Sequence, residues 1–276
     1  MSEFKRLLEP KRILLATDGS RFSEGAVREA INLGRKEGAR LFVISVAQVN
    51  TELMGYSPEI TEKIERQTRQ TLETVSKRAA EASVSCETIF HEGEEPYIFI
   101  VNEAKERDVD FIIMGRRGLR GLMKLMLGSV TALVIGHSDR DVFVVPRAGR
   151  LVFKKILICT DGSEQSQKAF KKALVLADKY NSSLIAISVA TIEDELKNIK
   201  EHLELLEKKA KNKGLAIETL PVIGTPYEAI TTTAQVKDVD LIVIGSHGRT
   251  GIKKLLLGSV AERVIALAQC SVLVTK

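Results

Sequence analysis

The sequence is poor in the residues that build disulfide frameworks and base-stacking surfaces. Its 276 residues include no tryptophan and only three cysteines, and aromatic residues make up 5%. Cys86, Cys159 and Cys270 lie in apolar, strand-like stretches and form no Cys-x-x-Cys pair. We therefore expect buried, reduced thiols, and neither a disulfide nor a cysteine metal site.

Long apolar segments and common phosphate-binding signatures are also missing. No apolar run reaches the ~18 residues that a membrane-spanning helix needs. The start of the chain, MSEFKRLLEPKR, lacks the apolar region of a signal peptide. We therefore expect no membrane association and a cytoplasmic location. The chain has no Gly-Lys pair and no Gly-x-Gly, which excludes a Walker A loop and a dinucleotide fingerprint.

The formal net charge of +5 raises the question of a nucleic-acid partner. The basic residues alternate with acidic ones, however, as in EKIERQTRQ and KEHLELLEKK. This pattern is typical of solvated helix faces. The sequence also lacks a basic segment rich in aromatic residues, so nucleic acid is not an expected partner.

What the chain does contain is a glycine loop that occurs twice. The apolar run LIVI at 241–244 predicts a strand, and a helix is predicted at 260–268. The loop between them and its earlier copy share one spacing, with Gly245, Gly248, Gly258 and Ser259 in one copy and Gly115, Gly118, Gly128 and Ser129 in the other. Glycines here allow the backbone to approach a ligand closely. The N–H groups at the start of the helix suit an anion, usually a phosphate.

A purely structural interpretation of this loop stays open at this stage. A glycine can simply end a strand, and Ser259 with Glu262 fits a capping box that needs no ligand. The first copy lacks that acid, because Ala132 stands in the corresponding position. The aspartates after strand one, Asp18 and Asp161, can likewise either bind a ribose or cap the helix that follows.

The repeat extends over almost the whole chain. KRILLATDGS at 11–20 matches KKILICTDGS at 154–163, an offset of 143 residues. PYIFIVNEAKERDVDFIIMG at 96–115 matches PYEAITTTAQVKDVDLIVIG at 226–245, an offset of 130. We therefore predict two domains of the same fold, at residues 1–147 and 154–276.

Each copy predicts alternating strands and helices. The strands are predicted at 13–16, 41–46, 84–90, before the glycine loop and at 142–145, with counterparts at 156–159, 184–189, 216–222, 241–244 and 272–274. The helices begin after Ser20 or Ser163, near Pro58 in the first copy, at Pro96 or Pro226, and after the glycine loop. This alternation predicts an α/β fold with open five-stranded parallel sheets and helices on both faces. Ligands bind such sheets at the carboxyl ends of the strands, where the strand order reverses.

The motifs together resemble the universal stress protein family, in its ATP-binding branch. Both loops fit Gly-x2-Gly-x9-Gly-Ser/Thr, and both copies have Thr-Asp-x-Ser after strand one and Ser-Val at the end of strand two. The resemblance covers essentially the whole chain as two tandem domains. It implies two five-stranded sheets of the adenine nucleotide alpha hydrolase-like type, in the strand order 3-2-1-4-5.

The resemblance also implies a ligand and the residues that bind it. Asp161 would contact the ribose or base, the backbone of Val189 would contact adenine, and the glycine loop would hold the phosphates. The implied set in the second copy is Asp161, Val189, Gly245, Gly248, Gly258, Ser259 and Val260, and in the first copy Asp18, Val46, Gly115, Gly118, Gly128, Ser129 and Val130. The ligand would be ATP or AMP, with Mg²⁺ accompanying ATP. No catalytic residue and no metal ligand is assigned.

These implications predict an adenine-nucleotide-binding stress-response or signalling protein. A slow ATPase, or another ATP-using enzyme on this fold, is the alternative. A structural pseudo-dimer that has lost its ligand is a third possibility, against which the intact glycines argue. The resemblance further implies that the two domains pair through their last strands within one chain, with a homodimer as an additional option.

The two copies differ inside the glycine loop. Arg116 and Arg117 stand in the first copy where Ser246 and His247 stand in the second. We expect His247 to be a solvent-facing loop residue rather than a catalytic base, because an arginine, which stays protonated, replaces it in the first copy. The prediction of nucleotide binding is therefore better supported for the second copy than for the first.

Overall fold

The structure is a computed structural model that describes residues 3–49, 58–118, 126–248 and 257–276. The chain divides into two compact units. The first is Glu9–Arg147; the second is Ala148–Lys276 together with helix α1, Glu3–Leu8. Helix α1 packs in the second unit, where Lys179 Nζ donates to the carbonyl oxygen of Leu8 at 2.6 Å.

The first unit alternates strands and helices along the chain. Its elements are β1 Arg12–Ala16, α2 Glu24–Glu37, β2 Arg40–Gln48, α3 Pro58–Glu81, β3 Cys86–Gly93, α4 Pro96–Glu106, β4 Phe111–Gly115, α5 Ser129–His137 and β5 Asp141–Val145. The strands are apolar throughout their centres because helices cover both faces of the sheet. Leu14 in β1 and Ile112 in β4, for example, are fully buried.

The second unit repeats this alternation. Its elements after α1 are β6 Lys155–Cys159, α6 Glu164–Tyr180, β7 Ser183–Ala190, a 3-10 turn at Glu193–Glu195, α7 Leu196–Lys211, β8 Ile217–Ile223, α8 Pro226–Val236, β9 Leu241–Gly245, α9 Ser259–Leu267 and β10 Ser271–Thr275. A stripe of apolar side chains on α7, including Leu203 and Leu206, packs towards β7 and β8.

Within each unit the strands are parallel and run in the predicted order. The first unit has β3-β2-β1-β4-β5, and the second has β8-β7-β6-β9-β10, which is the same order from its own first strand. The predicted α/β fold with parallel strands is therefore confirmed. That the two sheets are separate from each other remains a prediction.

Helix starts differ from the prediction in the first unit. Ser163 caps α6 as predicted, since its hydroxyl accepts from the N–H of Ser166 at 3.2 Å. Ser20 does not cap α2, which begins only at Glu24. The N–H of Ser23 donates to the carbonyl oxygen of Ser20 at 3.1 Å, so an intervening turn separates strand from helix. The prediction of a Ser20 cap was wrong because Ser20 belongs to this turn, and the residue at the N-cap of α2 is Ser23.

The three cysteines form no disulfide. Cys159, at the end of β6, is buried, and burial raises the pKa of its thiol. Among the described residues, no helix is both long enough and apolar enough to cross a membrane.

Candidate functional site

The candidate site of each unit lies where the strand order reverses. β1 lies between β2 and β4, and β6 lies between β7 and β9. The chain leaves β1 towards β2 on one side and leaves β4 towards β5 on the other, which opens a crevice between their carboxyl ends. The loop after strand one and the glycine loop therefore face each other at the edge where the sequence analysis expected a ligand to bind.

In the first unit this crevice is a cavity of about 990 Å³. All seven residues predicted for this copy line it: Asp18, Val46, Gly115, Gly118, Gly128, Ser129 and Val130. The volume lies at the upper end of the range of small-molecule pockets. Their role as nucleotide ligands stays a prediction, but the structure brings all of them to one place.

The aspartate after strand one reaches the glycine loop in both units. Asp18 Oδ1 accepts from the N–H of Ser20 at 3.1 Å, and Asp161 Oδ1 accepts from the N–H of Ser163 at 3.0 Å. These bonds form a local turn. A Cβ placed on Gly118 would lie 2.6 Å from Asp18 Oδ2, and one on Gly248 would lie 2.6 Å from the corresponding oxygen of Asp161. The second carboxylate oxygen therefore lies against the glycine backbone, and a larger residue there would have to displace the aspartate side chain.

The first glycine of each loop has a packing role. A Cβ on Gly115 would lie 3.0 Å from the Cα of Ser23, and a Cβ on Gly245 would lie 2.9 Å from the Cβ of Gln165. These contacts are with the protein itself, so the two glycines are required by the approach of the neighbouring helix segment whether or not a ligand binds.

The last glycine of each loop closes it and starts a helix. The N–H of Gly128 donates to the carbonyl oxygen of Arg116 at 3.0 Å, and that of Gly258 donates to the oxygen of Ser246 at 2.8 Å. Each glycine is the N-cap residue, with extended backbone and no side-chain capping bond.

The proposed capping box at Ser259 is therefore wrong. Ser259 is already the first residue of α9, so its hydroxyl is not at the capping position, and the N-cap is Gly258. The first N–H groups of a helix have no partner within it. Because a glycine offers them no side-chain oxygen, the starts of α5 and α9 keep the anion-binding character of a helix N-terminus.

Val46 and Val189 lie near the ends of β2 and β7. Both are half-buried, and each is paired in parallel with the neighbouring strand, Val46 opposite His91 and Val189 opposite Val222. Val260 is half-buried in the first turn of α9, while Ser129 and Ser259 are exposed there. The second set of predicted residues thus occupies positions that correspond to the first.

The residues that differ between the loops lie in different surroundings. Arg117 lines the first cavity. Burial lowers the pKa of Arg116, and the neighbouring charge of Arg117 lowers it further. Ser246 is buried, and its hydroxyl lies 3.1 Å from His247 Nδ1. His247 is half-buried rather than solvent-facing. Arg120 and Arg249, the other arginines of the loops, lie outside the described residues.

One wall of the first cavity was not predicted from the sequence. Helix α3 contributes hydroxyls to it from Thr68, Thr71 and Thr74, each of which donates to the carbonyl oxygen four residues earlier. A helical spacing of polar residues on α3 was the available signal. Thr131 was also missed; it lines the cavity and donates to the carbonyl oxygen of Gly115 at 3.0 Å.

No group of three or more His, Cys, Asp or Glu side chains within the described ranges could hold a metal ion. The groups that line the first cavity are instead backbone N–H donors, hydroxyls, the carboxylates of Asp18 and Glu24, and the guanidiniums of Arg117 and Arg78, of which Arg78 is paired with Glu24. This set fits a ligand with a polyhydroxylated part and an anionic part.

Comparison with known proteins identifies the family. A sequence profile of the universal stress protein family matches the chain twice, at residues 9–146 and 153–276. Universal stress protein MJ0531 of Methanocaldococcus jannaschii is 39% identical over 146 residues, which cover 47% of this chain and 86% of that protein. Universal stress protein Slr1230 of Synechocystis sp. is 24% identical over 293 residues, covering 95% of this chain and 99% of that protein.

A solved structure shows the same fold over nearly the full length. The crystal structure of a universal stress protein from Archaeoglobus fulgidus DSM 4304 gives a TM-score of 0.76 at 24% identity, covering 96% of this chain and 98% of that one. The family profile matches both halves of the sequence, which confirms the resemblance drawn from the glycine loops. The chain belongs to the universal stress protein family and consists of two tandem domains of that family.

Proposed function

We propose that this protein binds adenine nucleotides, ATP or AMP, at the carboxyl ends of its central strands and acts as a nucleotide-responsive stress or signalling protein. The observation that carries the proposal is the first-unit cavity, where Asp18, the glycine loop and the start of α5 meet. The second unit repeats the same aspartate-to-glycine approach at Asp161 and Gly248.

The chemistry of these groups supports a nucleotide rather than an uncharged ligand. A carboxylate accepts hydrogen bonds from hydroxyls, which suits Asp18 to the ribose. The start of α5 offers N–H donors and a partial positive charge to a phosphate. The guanidinium of Arg117, which lines the same cavity, adds a charge that suits additional phosphates. Mg²⁺ would neutralise part of the charge of ATP and would arrive with it.

We also propose that hydrolysis is slow or absent. Phosphoryl transfer needs a positioned nucleophile and strong stabilisation of the developing charge. Neither glycine loop contains the Gly-Lys signature of a Walker A motif, and no residue in either loop is assigned to position a water molecule. Steady turnover above roughly one per second would contradict this part of the proposal.

Titration calorimetry with ATP, AMP and GTP on the full chain tests the proposal. We expect binding of ATP and AMP and weaker binding of GTP. The matched variant Asp18→Asn with Asp161→Asn removes both carboxylates but keeps their shape, and it should weaken binding of every adenine nucleotide. Equal or tighter binding of GTP, or no binding of either adenine nucleotide, would overturn the proposal. Mass spectrometry of ligand released from the purified, denatured protein is an independent check.

A further inference from the structure

The second unit contains a histidine that the glycine-loop motif does not include. The buried stripe of α7 matches that of α3 at an offset of 131 residues, where Ile199, Leu203, Leu206 and Ala210 correspond to Thr68, Leu72, Val75 and Ala79. At the same offset His202 corresponds to Thr71. The two helices therefore present different side chains at one equivalent position.

Contacts with the loop after strand one support this correspondence independently. The residue nearest to a Cβ built on Gly19 is Thr71, with Oγ1 at 2.2 Å. The residue nearest to a Cβ built on Gly162 is His202, with its ring atoms Cε1 and Nδ1 at 3.8 and 3.9 Å. Both Gly19 and Gly162 directly follow the aspartate assigned to the ribose, so His202 lies against the part of the second site where the nucleoside would bind.

A chain of hydrogen bonds connects the imidazole to the loop after β6 and favours one of its tautomers. Ser166 Oγ lies 2.9 Å from the carbonyl oxygen of Ser163 and must donate to it, because a carbonyl only accepts. Ser166 Oγ then accepts from Thr160 Oγ1, which lies 3.3 Å away. When Thr160 donates to Ser166, its oxygen is left to accept from His202 Nε2 across the 2.9 Å between them. The tautomer with a proton on Nε2 is therefore the one that satisfies all three hydrogen bonds.

Thr71 cannot make the equivalent bond in the first unit. Its hydroxyl donates to the carbonyl oxygen of Gln67 at 3.0 Å, which uses its only proton. Thr17, the counterpart of Thr160, shares a 2.9 Å hydrogen bond with the hydroxyl of Ser23, as Thr160 does at 3.3 Å with Ser166. In both units the threonine directly after strand one is bonded to a serine a few residues later in the chain. In the second unit it is also bonded to His202 of α7.

We infer that His202 is a positioning residue of the second site: through Thr160 it holds the loop that carries Asp161, and so it sets the affinity of that site for the nucleoside part of the ligand. This inference rests on the proposed function. The same hydroxyl of Thr160 lies 3.4 Å from the N–H of Gly162, so loss of the imidazole donor loosens both residues that flank Asp161.

Three substitutions separate the hydrogen bond from the ring. His202→Gln keeps an N–H donor at about the position of Nε2, His202→Phe keeps a ring without a donor, and His202→Thr installs the first-unit residue. Each is made in the full chain carrying Gly118→Val, so that AMP calorimetry reports the second site. Thr71→Val in the same background is the matched control, and it should leave the second site unchanged.

We expect His202→Phe and His202→Thr to weaken AMP binding about three- to tenfold, the effect of one hydrogen bond. His202→Gln should stay close to the parent. If the His202→Phe variant binds AMP as tightly as the parent, or if the His202→Gln variant binds AMP as weakly as His202→Phe, His202 does not act through this hydrogen bond and the inference fails. Absence of ATP and AMP binding in the wild-type chain would instead contradict the proposed function.

The hydrogen bond between His202 and Thr160 can also be measured without nucleotide. Nitrogen NMR of the wild-type chain should show a protonated Nε2 on His202, and amide hydrogen exchange at Gly162 should be faster in His202→Phe than in His202→Gln. An unprotonated Nε2, or equal exchange in the two variants, would overturn the inference.

Discussion

The two units share a backbone frame and differ in the side chains that surround it. In both, a glycine of the loop lies against the carboxylate after strand one, with the same 2.6 Å to a Cβ that the glycine lacks. The walls differ: the first unit has Arg117 and Thr71, and the second has His247 and His202. Close contacts within the protein thus accompany the same loop geometry in both units, while the charge and polarity of each site vary around it.

The largest expected effect comes from the shared geometry. Gly118→Val places a side chain against Asp18, and Gly248→Val does the same at Asp161, so each should displace a carboxylate and fill part of one site. We expect each variant to lose one of two nucleotides in calorimetry, with affinity at the altered site falling at least about 100-fold, which is roughly 2.7 kcal/mol.

The control for this pair is Gly214→Ala, whose Cβ would meet nothing within 4 Å, so that its cost is backbone strain at a φ of +74° and not a contact with either aspartate. It should bind two nucleotides. If Gly118→Val or Gly248→Val also still binds two, the contact between the glycine loop and the aspartate is not part of either site, and the shared frame has another purpose.

The next effect is on stability and should be similar in the two units. Gly115→Ala would press on the backbone of Phe22 and Ser23, and Gly245→Ala would press on Gln165. Forcing an added methyl into such packing costs about 1–3 kcal/mol. Thermal unfolding should show a lower Tm for both variants. A Tm unchanged in Gly115→Ala would mean that α2 can move away from the strand at little cost.

Much of this frame could be predicted from the sequence. The buried strands are visible in the sequence as apolar runs, for example around Leu14 in β1 and Ile112 in β4. Pro96 and Pro226 begin α4 and α8 as predicted, because proline suits a first helical turn. The pairing of the strand-one loop with the glycine loop followed from strand order. The internal repeat strengthened each prediction, because the two glycine loops differ in sequence but keep the same spacing of glycines.

The parts that could not be predicted depend on the residue at which each helix begins and on contacts between distant segments. Ser20 looks like a helix cap in the sequence, but a hydrogen bond from Ser23 places it in a turn. Ser259 and Glu262 match a capping box, yet the helix begins one residue too early for it. The role of His202 depends on α7 lying over the loop after β6, a contact over 42 residues of sequence. Local patterns carry no information about such contacts.

A smaller effect should distinguish the phosphate ends of the two sites. Arg117 lines the first cavity, so Arg117→Ser should weaken ATP binding there about three- to tenfold, as expected for a charge-assisted bond, and AMP binding less. The weakening should be larger at low salt because screening reduces the charge contribution. Calorimetry on the Gly248→Val background measures it, with Arg116→Ser as the matched control. Equal losses in ATP and AMP affinity would show that Arg117 does not contact the additional phosphates.

The smallest expected effect concerns an ionic cluster that only the first unit has in this form. Glu103 on α4 lies 2.8 Å from His91 Nε2 and 2.6 Å from Arg107 Nε, and Arg107 also pairs with Glu87. In the second unit Lys237 and Glu218 keep the outer pair at 2.6 Å, but Thr233 replaces the inner carboxylate. The first unit therefore has a titratable stabilising group at a position where the second has a neutral hydroxyl.

The sign of its pH dependence follows from the pKa of Glu103. Burial raises that pKa, but hydrogen bonds from His91 and Arg107 outweigh burial and lower it below the ordinary value of 4.5. A lowered carboxyl pKa stabilises the folded unit above the unfolded pKa, and the stabilisation is lost as the pH falls through the folded pKa. Glu103→Gln should therefore cost about 1 kcal/mol at pH 7 and less in acid. Urea unfolding at pH 7 and below pH ~4 measures this, with Thr233→Val as the second-unit control, whose cost should not vary with pH. A Glu103→Gln cost that is the same at both pH values would show that the side chain contributes packing and not charge.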